Sequence, residues 1–180
     1  MTGITHAAAG SAVGAALAAL GGQEVTGAVV GAVAALLPDM DHPGSYSGRM
    51  MRPLAVWLEE KYGHRNSPTH TLLFCLTVGL ILGVFVAGIM GSAFLIFSGT
   101  AGAISHLVLD GMTRSGIQPL RLFLPMLPGR QWRRVKEKLE SASWTHKKWS
   151  GPIYTGKDSR EFVLAVFCIL LTLLIIGKQL

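Results

Sequence analysis

AAAGSAVGAALAALGGQEVTGAVVGAVAALLP, residues 7–38, carries a single charged side chain, Glu24, and is interrupted at its middle by Gly21, Gly22, Gln23 and Glu24. A helix that crosses a bilayer needs about 20 apolar residues, so this run is too long for one span and short for two. The glycine-led polar break decides the reading, because one helix ends there and another begins. The stretch is a helical hairpin with arms at 6–20 and 25–37. Alanine and glycine dominate both arms, which suits helices packed backbone to backbone inside a bundle. Arms this short need shielding by longer helices or local thinning of the bilayer.

Outward from the hairpin the pattern repeats. Residues 72–105 hold no charge, and the apolar stretch 71–109 softens at 88–92, giving a second hairpin whose arms are each long enough to span. Residues 162–177 form a lone fifth span, also uncharged. Only 14% of the 180 residues are charged and 50% are apolar, against about 25% charged in a soluble domain. A water-soluble globule is excluded. The expected fold is an all-α integral membrane bundle of about five spans: two hairpins in residues 1–128, a basic segment in 129–160 and a C-terminal transmembrane helix in 161–180. Residues 1–6 contain no lysine or arginine, so no cleaved leader is expected. Cys75 and Cys168 lie inside apolar runs without metal-binding spacing and read as small core residues.

If both hairpins run in and return, His6, Asp39, His70, His106 and Asp110 meet at one membrane face. Of the 16 lysines and arginines, all but Lys178 fall in the loops on that face or at their edges. Positive residues mark the cytoplasmic side, so the shared face is expected in the cytoplasm of a multi-pass membrane protein. Within the basic segment, Trp132, Val135, Leu139, Ala142 and Trp149 fall near one helical face among arginines and lysines, the pattern of a helix lying in the headgroup layer. The excess positive charge is assigned to anionic lipid, and no nucleic-acid partner is expected. GxxxG spacings, Gly10 with Gly14 and Gly27 with Gly31, suit internal packing or a homo-oligomer equally.

The chemistry-bearing residues cluster. They are His6; Asp39, Asp41 and His42 in LPDMDHP; His64, Arg65 and His70 in HRNSPTH; and His106 with Asp110 in SHLVLD. His106 and Asp110, four apart on one helix, project from the same face and can share a metal. Pro38 ends the helix before it and leaves Asp39 and Asp41 in an extended or turning stretch. A carboxylate at the end of an uncharged apolar helix is costly without a partner, so Asp110 in particular marks a site. Imidazole with carboxylate suits zinc, and also manganese or iron; thiolate ligation is absent.

These motifs, a histidine at the start, PDxDH, HRxxxTH, and HxxxD followed by TRSGIQPL, resemble the YdjM-like family of inner-membrane proteins, described as metal-dependent hydrolases and as LexA-binding membrane proteins. The likeness runs to about Pro125, with a looser echo at YTGKDSRE, residues 154–161. The motif order is also distantly similar to zinc-dependent phospholipase C, but no later helix supplies further histidine and glutamate ligands, so one or two ions are expected and not three. The resemblance implies a bacterial inner-membrane location and a ligand set of His6, Asp39, His70, His106 and Asp110, then His64, with Asp41 a ligand or a supporting acceptor.

On physical grounds such an ion lowers the pKa of water and polarises a phosphoryl or acyl oxygen. Asp39 or Asp41 would take the proton, and Arg65 or Arg114 would clamp a phosphate. The expected activity is hydrolysis of an ester or phosphoester of a lipid-borne substrate, with anionic phospholipid as the partner. The rival expectation is a non-catalytic protein in which the metal staples the hairpins and function lies in binding a regulatory protein. A transporter would need a path to the opposite face, where Glu24 and Lys178 are the only charged groups in sequence.

Overall fold

The computed structural model describes residues 1–124 and 127–178; Pro125, where the family likeness ends, and the last two residues of the C-terminal segment lie outside the described residues. Among the described residues there are eight α-helices: α1 (Gly3–Ala18), α2 (Glu24–Leu36), α3 (Tyr46–Met50), α4 (Arg52–Tyr62), α5 (Leu72–Met90), α6 (Phe94–Gly111), α7 (Arg130–Glu140) and α8 (Ser159–Gly177). The polar break lies where the sequence puts it, with Gly22 in the left-handed conformation at φ 65°. Gly91, at φ 69°, closes α5 in the same way.

α1 packs on α2, α6 and α8, and α5 packs on α6. Four segments are long and apolar enough to cross a membrane: Gly3–Gly21, Leu72–Met90, Phe94–Gly111 and Ser159–Gly177. The expected count of about five spans is corrected here at the second arm of the first hairpin, while the C-terminal span is present as α8. α2 has 13 residues, a rise of about 20 Å against a hydrocarbon core of about 30 Å. It is a short return arm that brings the chain back to the face where α1 began. About half of the residues in the apolar stretches of α1 and α6 are buried, against 17% for α5 and α8, so the small-residue helices are inside and the leucine-rich ones face lipid.

Glycine makes the inner packing close. A Cβ on Gly10 or Gly14 would lie under 3.0 Å from the backbone of Gly31 or Gly27, and one on Gly102 would strike the Gly31 backbone. The GxxxG spacings therefore join α1, α2 and α6 within one chain. Ser98 on α6 adds a hydrogen bond from its Oγ to the Gly14 carbonyl, at 2.9 Å. Cys75 and Cys168 are buried, unpaired members of two apolar clusters, as expected of small core residues.

The loops after α6 and before α8 pair over one end of the bundle through isolated bridges, Thr113 with Ile153 and Ile117 with Trp149. This removes Trp149 from the amphipathic face expected of the basic segment. That helix is limited to α7, where Trp132, Val135 and Leu139 remain. Glu161 ties the same end together, accepting from Thr5 Oγ1 at 3.1 Å and from the backbone amides of Thr2 and Gly156.

Candidate metal centre

Five local devices deliver the side chains. His6 sits one turn into α1. Pro38 starts a 3-10 turn, Leu37–Asp41, which buries Asp39 and Asp41; the stretch turns and is not extended. Gly63, at φ 72°, ends α4 and releases His64 and Arg65 into a short turn. Ser67 and Pro68 open the turn that ends in His70, directly before α5. His106 and Asp110 lie on the last turns of α6. All are at one end of the bundle. His6, His70, His106, Asp41 and Asp110 are at most 1% exposed.

The ring nitrogens show which atoms are left to bind. His106 Nδ1 lies 2.8 Å from the Ala35 carbonyl, which can only accept, so Nδ1 carries the proton and Nε2 the lone pair. Asp41 Oδ1 is 2.8 Å from His64 Nδ1, and its Oδ2 faces His70 Nδ1 at 3.3 Å. Asp41 thereby turns both Nε2 atoms toward the centre, as a carboxylate behind a ligating histidine does.

Asp39 Oδ1 lies 3.6 Å from His64 Nε2, 3.6 Å from His70 Nε2 and 3.5 Å from His106 Nε2. Asp110 Oδ2 is 3.6 and 3.7 Å from the last two, which are 3.3 Å from each other. Ligand atoms about 2.0–2.1 Å from a tetrahedral ion are spaced by roughly 3.4 Å. These separations fit such an ion.

Other atoms support the same reading. His6 Nδ1 and Nε2, Asp41 Oδ2 and Asp110 Oδ2 are buried without a directed hydrogen bond among the described residues. The nearby charges that several of them do have, such as His6 Nε2 with Asp110 Oδ1 at 3.2 Å, offer electrostatic attraction without hydrogen-bond alignment. Buried polar atoms in this condition are costly without a partner, and a cation would satisfy the lone pairs among them, including the one on the His6 ring. His6 also stacks on His106, with ring centroids 3.8 Å apart. Three overlapping His/Asp groups have ligand atoms close enough to hold an ion: Asp39, Asp41, His64 and His70; His6, Asp39 and His106; and His70, His106 and Asp110. The buried cluster is thus positioned to hold a metal.

Burial by itself would raise the carboxyl pKa values and lower that of His70, but the ion pairs prevail. Asp39 is held well below the usual carboxylate range by His70 and by the neighbouring imidazoles of His106 and His6. His64 and His70 pull Asp41 down to about 2. Asp39 and Asp41 in turn push His70 up to about 9.

Arg65 differs from expectation in its partners. Its Nη1 is 2.8 Å from Thr113 Oγ1 and 3.1 Å from Asp110 Oδ2, so it braces Asp110 while still lining the cavity. The amino group of Met1 also pairs with Asp110. Arg114 stacks over Tyr154, 4.4 Å from the ring centroid, and does not line the cavity. Thr113 and Glu59 were not singled out in the sequence. Thr113 lies in the TRSGIQPL stretch that carries the resemblance, whereas Glu59, 2.8 Å from His42, has no motif around it. The cavity of about 500 Å³ in front of the cluster is lined by Asp39, His42, Tyr46, Arg49, His64 and Arg65, among others.

The model of the YdjM inner membrane protein family matches residues 1–180. The chain belongs to this family. Relatives include the uncharacterized protein YvsG of Bacillus subtilis (strain 168), 39% identical over 121 residues, which are 67% of this chain and 72% of YvsG. The inner membrane protein YdjM of Escherichia coli (strain K12) is 27% identical over 123 residues, 63% of this chain and 61% of that relative. No solved structure matches significantly. Membership and the four apolar helices make this a multi-pass inner-membrane protein. The relatives' names state no reaction.

Proposed function

We propose that the cluster binds one or two divalent ions, zinc foremost with manganese or iron as alternatives, and hydrolyses an ester or phosphoester of a membrane lipid at the cytoplasmic face. The observation that carries this reading is the convergence of His70 Nε2, His106 Nε2, Asp39 Oδ1 and Asp110 Oδ2 at 3.3–3.7 Å, with His106 and His70 fixed from behind on their Nδ1 sides. A bound divalent ion supplies a Lewis acid for the phosphoryl or acyl oxygen and makes nearby water more acidic.

Asp41 is occupied by His64 and His70, which leaves Asp39, its side chain 12% exposed, as the carboxylate facing the cavity. With Asp39 Oδ1 among the converging ligand atoms, the second oxygen of the same carboxylate would take a proton from water. The water oxygen bonds to phosphorus or to the acyl carbon, the bond to the leaving oxygen breaks, and the proton passes to that oxygen. Arg49 and Arg65 line the same cavity and offer positive charge to a phosphate. Cytoplasmic placement follows from the lysine and arginine excess on the site side.

The test measures metal content per protein and release of phosphate or headgroup from bacterial lipids, with and without chelator. His70→Ala and Asp110→Ala abolish both signals on this reading; full metal content in both variants would overturn it. One observation favours a second reading, a metal staple without catalysis: His6, His70, His106 and Asp110 are all sealed from solvent. A bound ion with four protein ligands and no exchangeable water would select the staple, with function in partner binding.

A further inference from the structure

A second cavity, of about 490 Å³, lies between α1, α2 and α8. Its walls include Ile4, Ala7, Ala32, Leu36, Ile169 and Leu173. Alanines where α1 and α2 face α8 leave space that larger side chains would fill. Three hydroxyl-bearing side chains line the groove: Ser11 Oγ donates to the Ala28 carbonyl at 3.2 Å, Thr172 Oγ1 donates to the Cys168 carbonyl at 2.9 Å, and Tyr46 stands at the site end, where it also lines the polar cavity. Away from Tyr46, nothing in the groove asks for a polar partner, so its chemistry there matches hydrocarbon.

Position identifies the occupant. Two walls belong to the segments Gly3–Gly21 and Ser159–Gly177, which are long and apolar enough to cross the membrane. From Ile4 to Ser11 the groove follows α1 for about 10 Å, roughly the outer third of the hydrocarbon core. At its site end it meets the polar cavity, because Gly3, Leu36 and Tyr46 line both. The apolar groove therefore adjoins a chamber walled by Arg49, Arg65, His64 and Asp39. Arg65 is braced by Asp110 and Thr113, whereas Arg49 is exposed and carries no side-chain ion pair among the described residues.

We propose that the groove between α1, α2 and α8 holds a hydrocarbon chain of a phosphate-bearing membrane lipid, which enters sideways and sets its phosphate in the cavity beside Arg49 and the His/Asp cluster. This rests on the hydrolase reading for what happens to the phosphate, but not for the binding itself. The chain fixes depth and the cavity selects charge. Preference among lipids then follows the headgroup, with anionic phosphomonoesters favoured over uncharged lipids of equal chain length.

The test uses the full chain in phosphatidylcholine nanodiscs with phosphatidic acid carrying a photoactivatable diazirine in one acyl chain, and crosslinked peptides are read by mass spectrometry. Crosslinks are expected at Ile4, Ile169 and Leu173, reduced at least tenfold by Ala7→Trp or Ala32→Phe, which fill the groove. Leu80 and Val84 on the exposed face of α5 report bulk lipid and label equally in every variant. A melting temperature equal to wild type shows that a variant is folded. Groove labelling no higher than α5 labelling, or unchanged in both folded variants, overturns the proposal.

A diacylglycerol probe with the same tail tests the headgroup. Labelling several-fold weaker is expected, Arg49→Gln should bring phosphatidic acid down to that level, and equal labelling by the two probes refutes phosphate recognition. Turnover is scored separately. Groove labelling without lipid hydrolysis removes the hydrolase reading and keeps the groove, while hydrolysis without groove labelling does the reverse.

Discussion

Raising the pH from about 6 to about 8 will tighten zinc binding by about 100-fold, and Asp41→Asn will flatten that slope. His70 stands at about 9 because Asp39 and Asp41 outweigh its burial. Its Nδ1 faces Asp41, so the titrating position is Nε2, the atom that points at His106 Nε2 and Asp39 Oδ1. Proton and ion compete for one lone pair. Below pH 9 each unit of acidity then costs about a factor of ten in affinity, or about 1.4 kcal/mol.

The sign for stability is opposite. A histidine whose folded pKa is raised above its unfolded value of 6.5 stabilises the metal-free fold fully below pH 6.5 and loses that contribution as pH rises through 9. Asp41, at about 2, stays ionised throughout and adds no slope of its own. Replacing it with asparagine removes one of the two carboxylates that raise His70 and loosens the His64 and His70 rings. Affinity at pH 8 falls about 10–100-fold, while its dependence on pH weakens. Competition titration of detergent-solubilised protein against a chromophoric zinc chelator reads both effects. Wild-type affinity that is flat from about pH 6 to 8, or a wild-type slope in Asp41→Asn, would refute this account of the centre.

Asp110→Asn strips the counter-charge from Arg65 and the Met1 amino group; a loss of about 3–5 kcal/mol is expected from leaving buried charge unpaired, seen as a lower melting temperature in chelator-treated samples. Gly31→Val drives a branched side chain into the Gly10 backbone and is expected to cost at least about 1–3 kcal/mol; a melting curve identical to wild type would show that α1 and α2 do not pack so closely. Single cysteines at Ser45 and Gln23, in a background without Cys75 and Cys168, should react with impermeant maleimide from opposite sides of inner-membrane vesicles. Labelling of both from one side would break the hairpin topology on which the centre depends.

The hairpins were legible because their breaks use residues with a local cause: Gly22 and Gly91 adopt conformations that other residues resist. Histidine and aspartate at helix ends were legible because charge is rare in such company. Span count was less so, since α2 is apolar enough to read as a span and only its 13 residues reveal a return arm. Asp41 could be read as ligand or support; the choice depends on which histidine nitrogen it faces, and spacing along the chain does not encode that. The carbonyl of Ala35 that fixes His106 is backbone, and no sequence signal marks it. Helical periodicity does not place Trp149, because strand-like pairing to Ile117 takes over there.

Every side chain of the centre has been made by position 110, whereas the groove needs Ile169, Thr172 and Leu173 from the final helix. During synthesis the ion pocket can therefore form while α8 is still in the ribosome or the insertion channel. The groove's third wall closes last, and on the readings proposed above truncation before α8 would spare the ion pocket while removing the seat for a fatty tail.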